Sequence, residues 1–410
     1  MTGRQVAPGT PRVGSPLSEQ GLRPIVPSYP SSQRGGLGLR RLIIGAALFG
    51  LVGFVGGTSA SGSTGPTCFG KPATVAGSGI VGGTSGNDVI VGSASDDTIE
   101  GKGGNDLICG LDGSDVIQGG LGNDQVDAGA GDDEVAGDVS AGGSQAPGPD
   151  TGVTGDATGG GNDTLYGGDG SDIMSGDSFS PHGAAAGGGN DQLFGGAGVD
   201  RMAGDSNTKD GTAAGGGNDH LVGGDGADDL AGDSHSIFFM GNVTGAGDDV
   251  LEGGLGLDIL IGDSEGFTAT GSGGDDVIDM GVDGGFFGLG DHATAGDATG
   301  AGDDMLIGGA SGEILVGDNS PGFGGSTGAG SDIIAGGGGG DLLFGDSSAD
   351  IVTTLGPDGA VDSLDGGSGD DLLEAGPGDD TLNGNADTDV CDGESGTDNF
   401  KKCEAVLGSP

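Results

Sequence analysis

The chain has 410 residues, of which 105 are glycine and 32% are apolar, with no tryptophan. Acids outnumber Lys and Arg by 63 to 12, a formal charge of −51 at pH 7. This composition excludes an ordinary globular core, and the charge excludes nucleic acid and anionic membrane as partners of the acidic body, because both would be repelled.

The first 81 residues are of another kind. Before Gly82 a single acid, Glu19, accompanies seven cations, whereas the rest of the chain sets 62 acids against five cations, a net charge of −57. Residues 1–41 scatter Arg4, Arg12, Arg23, Arg34, Arg40 and Arg41 among Pro, Gly and Ser without periodicity, which predicts a disordered basic N-region. Leu42 to Gly57 is an apolar run that ends in the small residues Thr58-Ser59-Ala60-Ser61. With its basic flank it reads as the h-region of a secretory signal, and Arg40-Arg41 gives it a twin-arginine character. A single membrane anchor is the alternative for residues 42–60; membrane contact is expected only through residues 42–57, if they are not cleaved. Residues 61–81 are then a linker or N-terminal cap. On either reading the body is expected outside the cytoplasm, secreted or held at the cell surface.

A strict rhythm begins at Gly82. Asp88, Asp97, Asp106, Asp115, Asp124 and Asp133 recur every nine residues, each followed two residues later by Ile90, Ile99, Ile108, Ile117, Val126 and Val135. The frame is Gly-x-x-Gly-x-Asp-x-apolar-x, as in Gly101 to Cys109 and again in Gly119 to Asp127. A nine-residue unit has room for one short strand and one tight turn, stacked on copies of itself as a solenoid. Residues 82–137 hold regular units, and residues 361–410 close the chain with more.

Between them, in residues 138–360, a second period appears. Asp163, Asp191, Asp219, Asp249, Asp276, Asp304, Asp332 and Asp362 are separated by 28, 28, 30, 27, 28, 28 and 30 residues. Most blocks contain two nonapeptides and then an excursion opening with Gly-Asp, at Asp177, Asp205, Asp233, Asp263, Asp291, Asp318 and Asp346. Two nonapeptides make one coil, so one insertion per coil predicts loop excursions on one flank; a third short face per coil is the alternative.

Period-two alternation points the apolar residue of each unit inward. Leu165, Met174, Leu193, Met202, Leu221, Leu230, Leu251, Leu260, Leu306, Leu343 and Leu373 continue that row. A core one side chain thick does not offset the ordering of so glycine-rich a backbone. The turns supply what is missing: glycines let carbonyls converge, and the position-six aspartate completes an oxygen cage. Oxygen ligands without His or Cys suit Ca²⁺, whereas Mg²⁺ wants stricter octahedral geometry.

On these motifs the chain resembles the RTX, or hemolysin-type, calcium-binding repeat family over about residues 82–400. The resemblance implies an all-β, right-handed parallel β-roll with Ca²⁺ between successive turns, ligated by loop carbonyls and position-six aspartates. Carried over residue by residue, these are Asp88, Asp97, Asp106, Asp115, Asp124, Asp133, Asp163, Asp172, Asp191, Asp200, Asp219, Asp228, Asp249, Asp258, Asp276, Asp304, Asp332, Asp341, Asp371 and Asp380. Two units depart from the pattern, with Gly285 at the ligand position in one and Glu313 in the other.

In an exported chain, Cys68, Cys109, Cys391 and Cys403 are expected to form two disulfides, Cys391–Cys403 stapling the last coil and Cys68–Cys109 the first. Gly324-Gly325-Ser326-Thr327-Gly328 matches a nucleophile elbow only by chance in so glycine-rich a chain. His182, His220, His235 and His292 read as solvated singletons, so no catalytic site is expected. Phe179, Phe238, Phe239, Phe267 and Phe323 lie in excursions, either pinning these loops or presenting an adhesive flank. The expected function is a calcium-folded structural scaffold, with a calcium-dependent adhesin for a cell-envelope or surface ligand as the alternative.

Overall fold

A computed structural model describes residues 65–138, 157–322, 325–347 and 359–407. The basic N-region, the apolar run and Phe323 therefore lie outside the described residues. The described residues fall within one compact unit, Gly62–Pro410.

Two 14-stranded sheets carry the nonapeptides, and successive units alternate between them. One runs from Val75–Ala76 through Val89–Ser93 and Leu107–Asp112 to Asn399–Lys401; the other runs from Ile80–Gly82 through Thr98–Gly103 to Ala405–Leu407. Among the described residues, the strands pair in parallel except for the N-terminal hairpin of Thr67–Cys68 with Lys71–Pro72. Two units thus make one coil, as the nine-residue rhythm requires.

Register follows the inward apolar residue. Ile90 stands opposite Ile108 and Ile108 opposite Val126. The excursions do not disturb this order: Val126 meets Leu165, and Leu165 meets Leu193, although those steps span more chain than the regular coils. All these side chains belong to one buried cluster running the length of the roll. Ile278, Leu315, Ile334, Leu364, Leu382 and Cys391 also belong to it. One position is irregular. Gly288 stands between Leu260 and Leu315 in the inner row, and Met280 Sδ and Leu315 Cδ2 fill the space that a β-carbon there would claim.

The excursions are not simple loops. They form two further parallel ladders, one of seven strands from Ala157–Thr158 to Ser326–Thr327 and one of six from Phe179–Ser180 to Ser320–Pro321. Their main chains bond like any parallel sheet, for instance Ala157 N–H to Ala184 O at 2.8 Å and Gly159 N–H to Ala186 O at 3.0 Å. The expected loop flank is thus two short faces per coil. Strands of two or three residues carry too little alternation for a periodicity argument to detect.

Both ends are clamped. Cys68 and Cys109 join the N-terminal hairpin to a strand of the first coils, with Cα atoms 5.7 Å apart. Cys391 and Cys403 close the last coil, with Cα atoms 6.0 Å apart. Covering the open end of a solenoid in this way protects its edge.

Candidate metal sites

Each position-six aspartate immediately precedes the strand of its unit and is drawn into the stack by its own backbone. Asp88 N–H donates to Asp106 Oδ1 at 2.8 Å, and Asp106 N–H donates to Asp124 Oδ1 at 2.8 Å. The carbonyl of Asp88 accepts Leu107 N–H at 3.0 Å. Main chain and one carboxylate oxygen are thus engaged with the neighbouring coils.

Repeated along the roll, this contact makes two aspartate ladders, one at each edge. The first joins Asp88, Asp106, Asp124, Asp163, Asp191, Asp219, Asp249, Asp276, Asp304, Asp332, Asp362, Asp380 and Asp398 without a gap. The second joins Asp97, Asp115, Asp133, Asp172, Asp200, Asp228 and Asp258, stops at Gly285, and resumes through Glu313, Asp341, Asp371, Asp389 and Glu404. All twenty sequence-derived aspartates lie on these ladders and are buried.

The second carboxylate oxygen decides what the ladders can do. In eighteen of the twenty, Oδ2 is buried with no hydrogen-bond partner. Buried acceptors are ordinarily satisfied, and a buried unpaired carboxylate is among the most costly groups a protein can hold. The two exceptions begin the ladders: Asp88 Oδ2 accepts Thr84 N–H at 2.6 Å and Thr84 Oγ1–H at 2.8 Å, and Asp97 Oδ2 accepts Ser93 N–H at 2.6 Å.

The unpartnered oxygens do not point into apolar packing. At Gly101, a β-carbon would strike both the carbonyl oxygen of Gly119 and Asp106 Oδ2. The absent side chain leaves two oxygens from adjacent coils facing one spot, and the same coincidence recurs at Gly119 with Gly137 O and Asp124 Oδ2. Carbonyl and carboxylate oxygens converging on a glycine-lined hollow fit a hard divalent cation. Burial pushes the carboxyls up, Asp115 to about 6, Asp124 to about 7, Asp191 to about 8 and Asp163 to about 9, with neighbouring aspartates adding to the rise. These are groups that require either a proton or a cation.

The two departures behave differently. Met280 Cε occupies the side-chain space of Gly285, so that rung is apolar. Glu313 keeps its acid in the ladder: its N–H donates to Asp341 Oδ1 at 2.9 Å, Oε1 accepts Ser311 Oγ–H at 2.9 Å, and Oε2 is buried without a partner.

Other expectations need correction. His235 and His292 are buried rather than solvated. His235 Nε2 lies 3.1 Å from Glu265 Oε2; burial opposes its charge, but Glu265 and Asp229 outweigh it and raise the imidazole. Burial lowers His292 to about 4, and its Nδ1 accepts Ser264 N–H at 3.3 Å, as a neutral ring does. Of the described excursion phenylalanines, Phe179 is buried, as a side chain that pins its loop would be, whereas Phe238, Phe239 and Phe267 are exposed. Ser326 belongs to a short strand, and its hydroxyl bonds to Ser347 Oγ at 2.6 Å.

A family model described as the RTX calcium-binding nonapeptide repeat, four copies long, matches residues 82–117, 110–139, 157–180, 184–207, 213–234, 243–265, 326–355 and 365–400. These segments together cover more than half of the chain, and the stretch left unmatched at 266–325 contains both Gly285 and Glu313. No curated protein matches the chain.

Proposed function

We propose, from the premise that this chain belongs to the RTX calcium-binding nonapeptide repeat family, that the position-six aspartates of its two ladders are the ligands for a row of Ca²⁺ ions and that the filled roll serves as a structural rod. The observation that carries this reading is the buried, unpartnered Oδ2 repeated on nearly every rung. Calcium supplies the positive charge that the stack of carboxylates lacks. The chain's own contribution is position: Oδ1 is held by the neighbouring N–H, Oδ2 is turned to the hollow, and glycine keeps the hollow open.

Folding then depends on metal, since the sites exist only once successive coils are stacked. Millimolar calcium outside the cell fills modest sites, and low cytosolic calcium leaves them unfilled. This agrees with export directed by the N-terminal segment and with a place outside the cytoplasm, free or at the cell surface. Among the described residues no helix is long and apolar enough to cross a membrane. Glu313 extends the second ladder as an acid-bearing rung, and Gly285 interrupts it.

A second reading, a calcium-dependent adhesive surface, is favoured by one feature. Phe238, Phe239, Met240 and Phe267 are exposed on adjacent coils, joined by Phe267 N–H donating to Gly241 O at 2.7 Å. Equilibrium dialysis of the full chain against radioactive calcium tests the main reading. Uptake of about one ion per acid-bearing rung is expected, and no uptake removes it.

A further inference from the structure

The Gly-Asp pairs that open the excursions lie outside the nonapeptide frame, yet their aspartates are among the most completely buried groups in the molecule. Asp138, Asp177, Asp205 and Asp233 are all 0% exposed. They stack in register, with Asp177 N–H donating to Asp205 O at 2.9 Å and Asp205 N–H to Asp233 O at 3.0 Å.

This third column does not stand apart from the first ladder. One carboxylate oxygen each from Asp138, Asp163 and Asp177 lie within 4.8 Å of one another, as do those of Asp177, Asp191 and Asp205, and of Asp205, Asp219 and Asp233. Consecutive triads share an aspartate, so the clusters form a continuous run with a ladder residue at the centre of each. Packing three carboxylates that closely in a dry interior is unfavourable unless something positive lies between them.

The hydrogen bonding singles out one oxygen per residue for that purpose. Asp177 Oδ1 accepts Gly161 N–H at 2.9 Å and Asp205 Oδ1 accepts Gly189 N–H at 3.0 Å. Asp177 Oδ2, Asp191 Oδ2 and Asp205 Oδ2 are buried and have no partner. A β-carbon at Gly176 would strike Gly204 O and Asp191 Oδ2, which places a carbonyl oxygen at the same hollow. Among the described residues no such triad forms on the regular rungs, where at Gly101 the hollow is bounded by Gly119 O and Asp106 Oδ2.

We propose that the excursion aspartates Asp138, Asp177, Asp205 and Asp233, together with the ladder residues Asp163, Asp191 and Asp219, form a second class of site for a hard divalent cation such as Ca²⁺, made of three carboxylates each and shared coil to coil, distinct from the one-carboxylate-per-turn nonapeptide sites. The inference rests on the calcium reading of the ladders and adds to it. The excursions then have a reason to exist: each brings one more buried anion to the edge of the roll and tightens the ions there. Because Asp205 serves two triads, its loss weakens two sites together.

The test compares the full-length protein with Asp205→Asn, which keeps the Oδ1 acceptor for Gly189 and removes the charge, and with Asp225→Asn at an exposed acid as control. Calcium bound at saturation and its affinity are measured by isothermal titration. The proposal predicts loss of about two of the tightest-bound ions in Asp205→Asn and none in the control. Unchanged stoichiometry and affinity overturn it and assign protons to the column instead. Should Asp205→Asn fail to fold, anomalous diffraction from the wild-type protein crystallised with a lanthanide decides. Peaks between Asp177, Asp191 and Asp205 support the proposal. Peaks along the second ladder alone overturn it while leaving the calcium reading intact, and peaks at neither place overturn both.

Discussion

Met280 lays its methyl group over Gly285, in the space that an acidic side chain takes on the flanking rungs of the second ladder, Asp258 and Glu313. The same side chain sets its sulfur beside Gly288, where the inner row lacks its leucine. A single flexible apolar residue thereby fills two vacancies in one coil, a role for which methionine is well suited.

Restoring the ligand without removing the plug is therefore predicted to harm. Gly285→Asp forces Met280 out of its place and costs about 1–3 kcal/mol, as overpacking ordinarily does. Thermal melting in calcium should show the loss. Adding Met280→Ala to Gly285→Asp should recover part of it, and simple additivity of the two changes would contradict the shared-space account.

The two oxygens of Asp124 have separable roles. Oδ1 accepts Asp106 N–H at 2.8 Å, while Oδ2 has no partner. Asp124→Asn keeps the acceptor and deletes the charge, so it is expected to be more stable than wild type in chelator and less stable in calcium. Asp124→Ala also strands Asp106 N–H, at about 1–3 kcal/mol, and should be worse than Asn in both conditions. Denaturant melts with and without calcium separate the four cases, and the same ranking in both buffers would count against metal at this rung.

Protons should partly replace the metal. The metal-free carboxyls are raised by burial, Asp115 to about 6, Asp124 to about 7, Asp191 to about 8 and Asp163 to about 9, all above the usual value near 3.8. A raised carboxyl contributes stability that is complete below the unfolded value and is lost as pH climbs through the folded one. In chelator the roll is thus expected to be most stable near pH 4 and below, and to lose stability progressively as pH rises from about 4, until the last of these carboxyls has ionised at about pH 9. Calcium should reverse the trend, because the metal needs ionised ligands. Unfolding followed across that range in both buffers checks the crossing.

How much of this was readable in the residues depends on how regular each part is. The Gly-x-x-Gly-x-Asp frame located the ladders and the inner row because strand and turn repeat in every unit. The ligand set omits Asp362, Asp389 and Asp398, which the backbone nevertheless delivers to the ladders; the glycines before the first two are altered, in Gly356-Pro357-Asp358-Gly359 and in Gly384-Asn385-Ala386-Asp387, whereas Asp398 follows an intact frame in Gly393-Glu394-Ser395-Gly396 and was legible in the sequence. The Gly-Asp openings were visible as punctuation, but burial of Asp177 or Asp205 follows from stacking between coils, which one coil's sequence does not display. His235 and His292 likewise look like loop residues until short parallel strands enclose them.

The central claim is that stacked carboxylates, lacking partners of their own, need metal to hold this roll together. Circular dichroism of the full-length protein during calcium titration tests it most directly. The account predicts that strand signal is lost in chelator at pH 7 and returns as calcium is added, with the melting temperature rising alongside. Strand content and melting indifferent to calcium would contradict it.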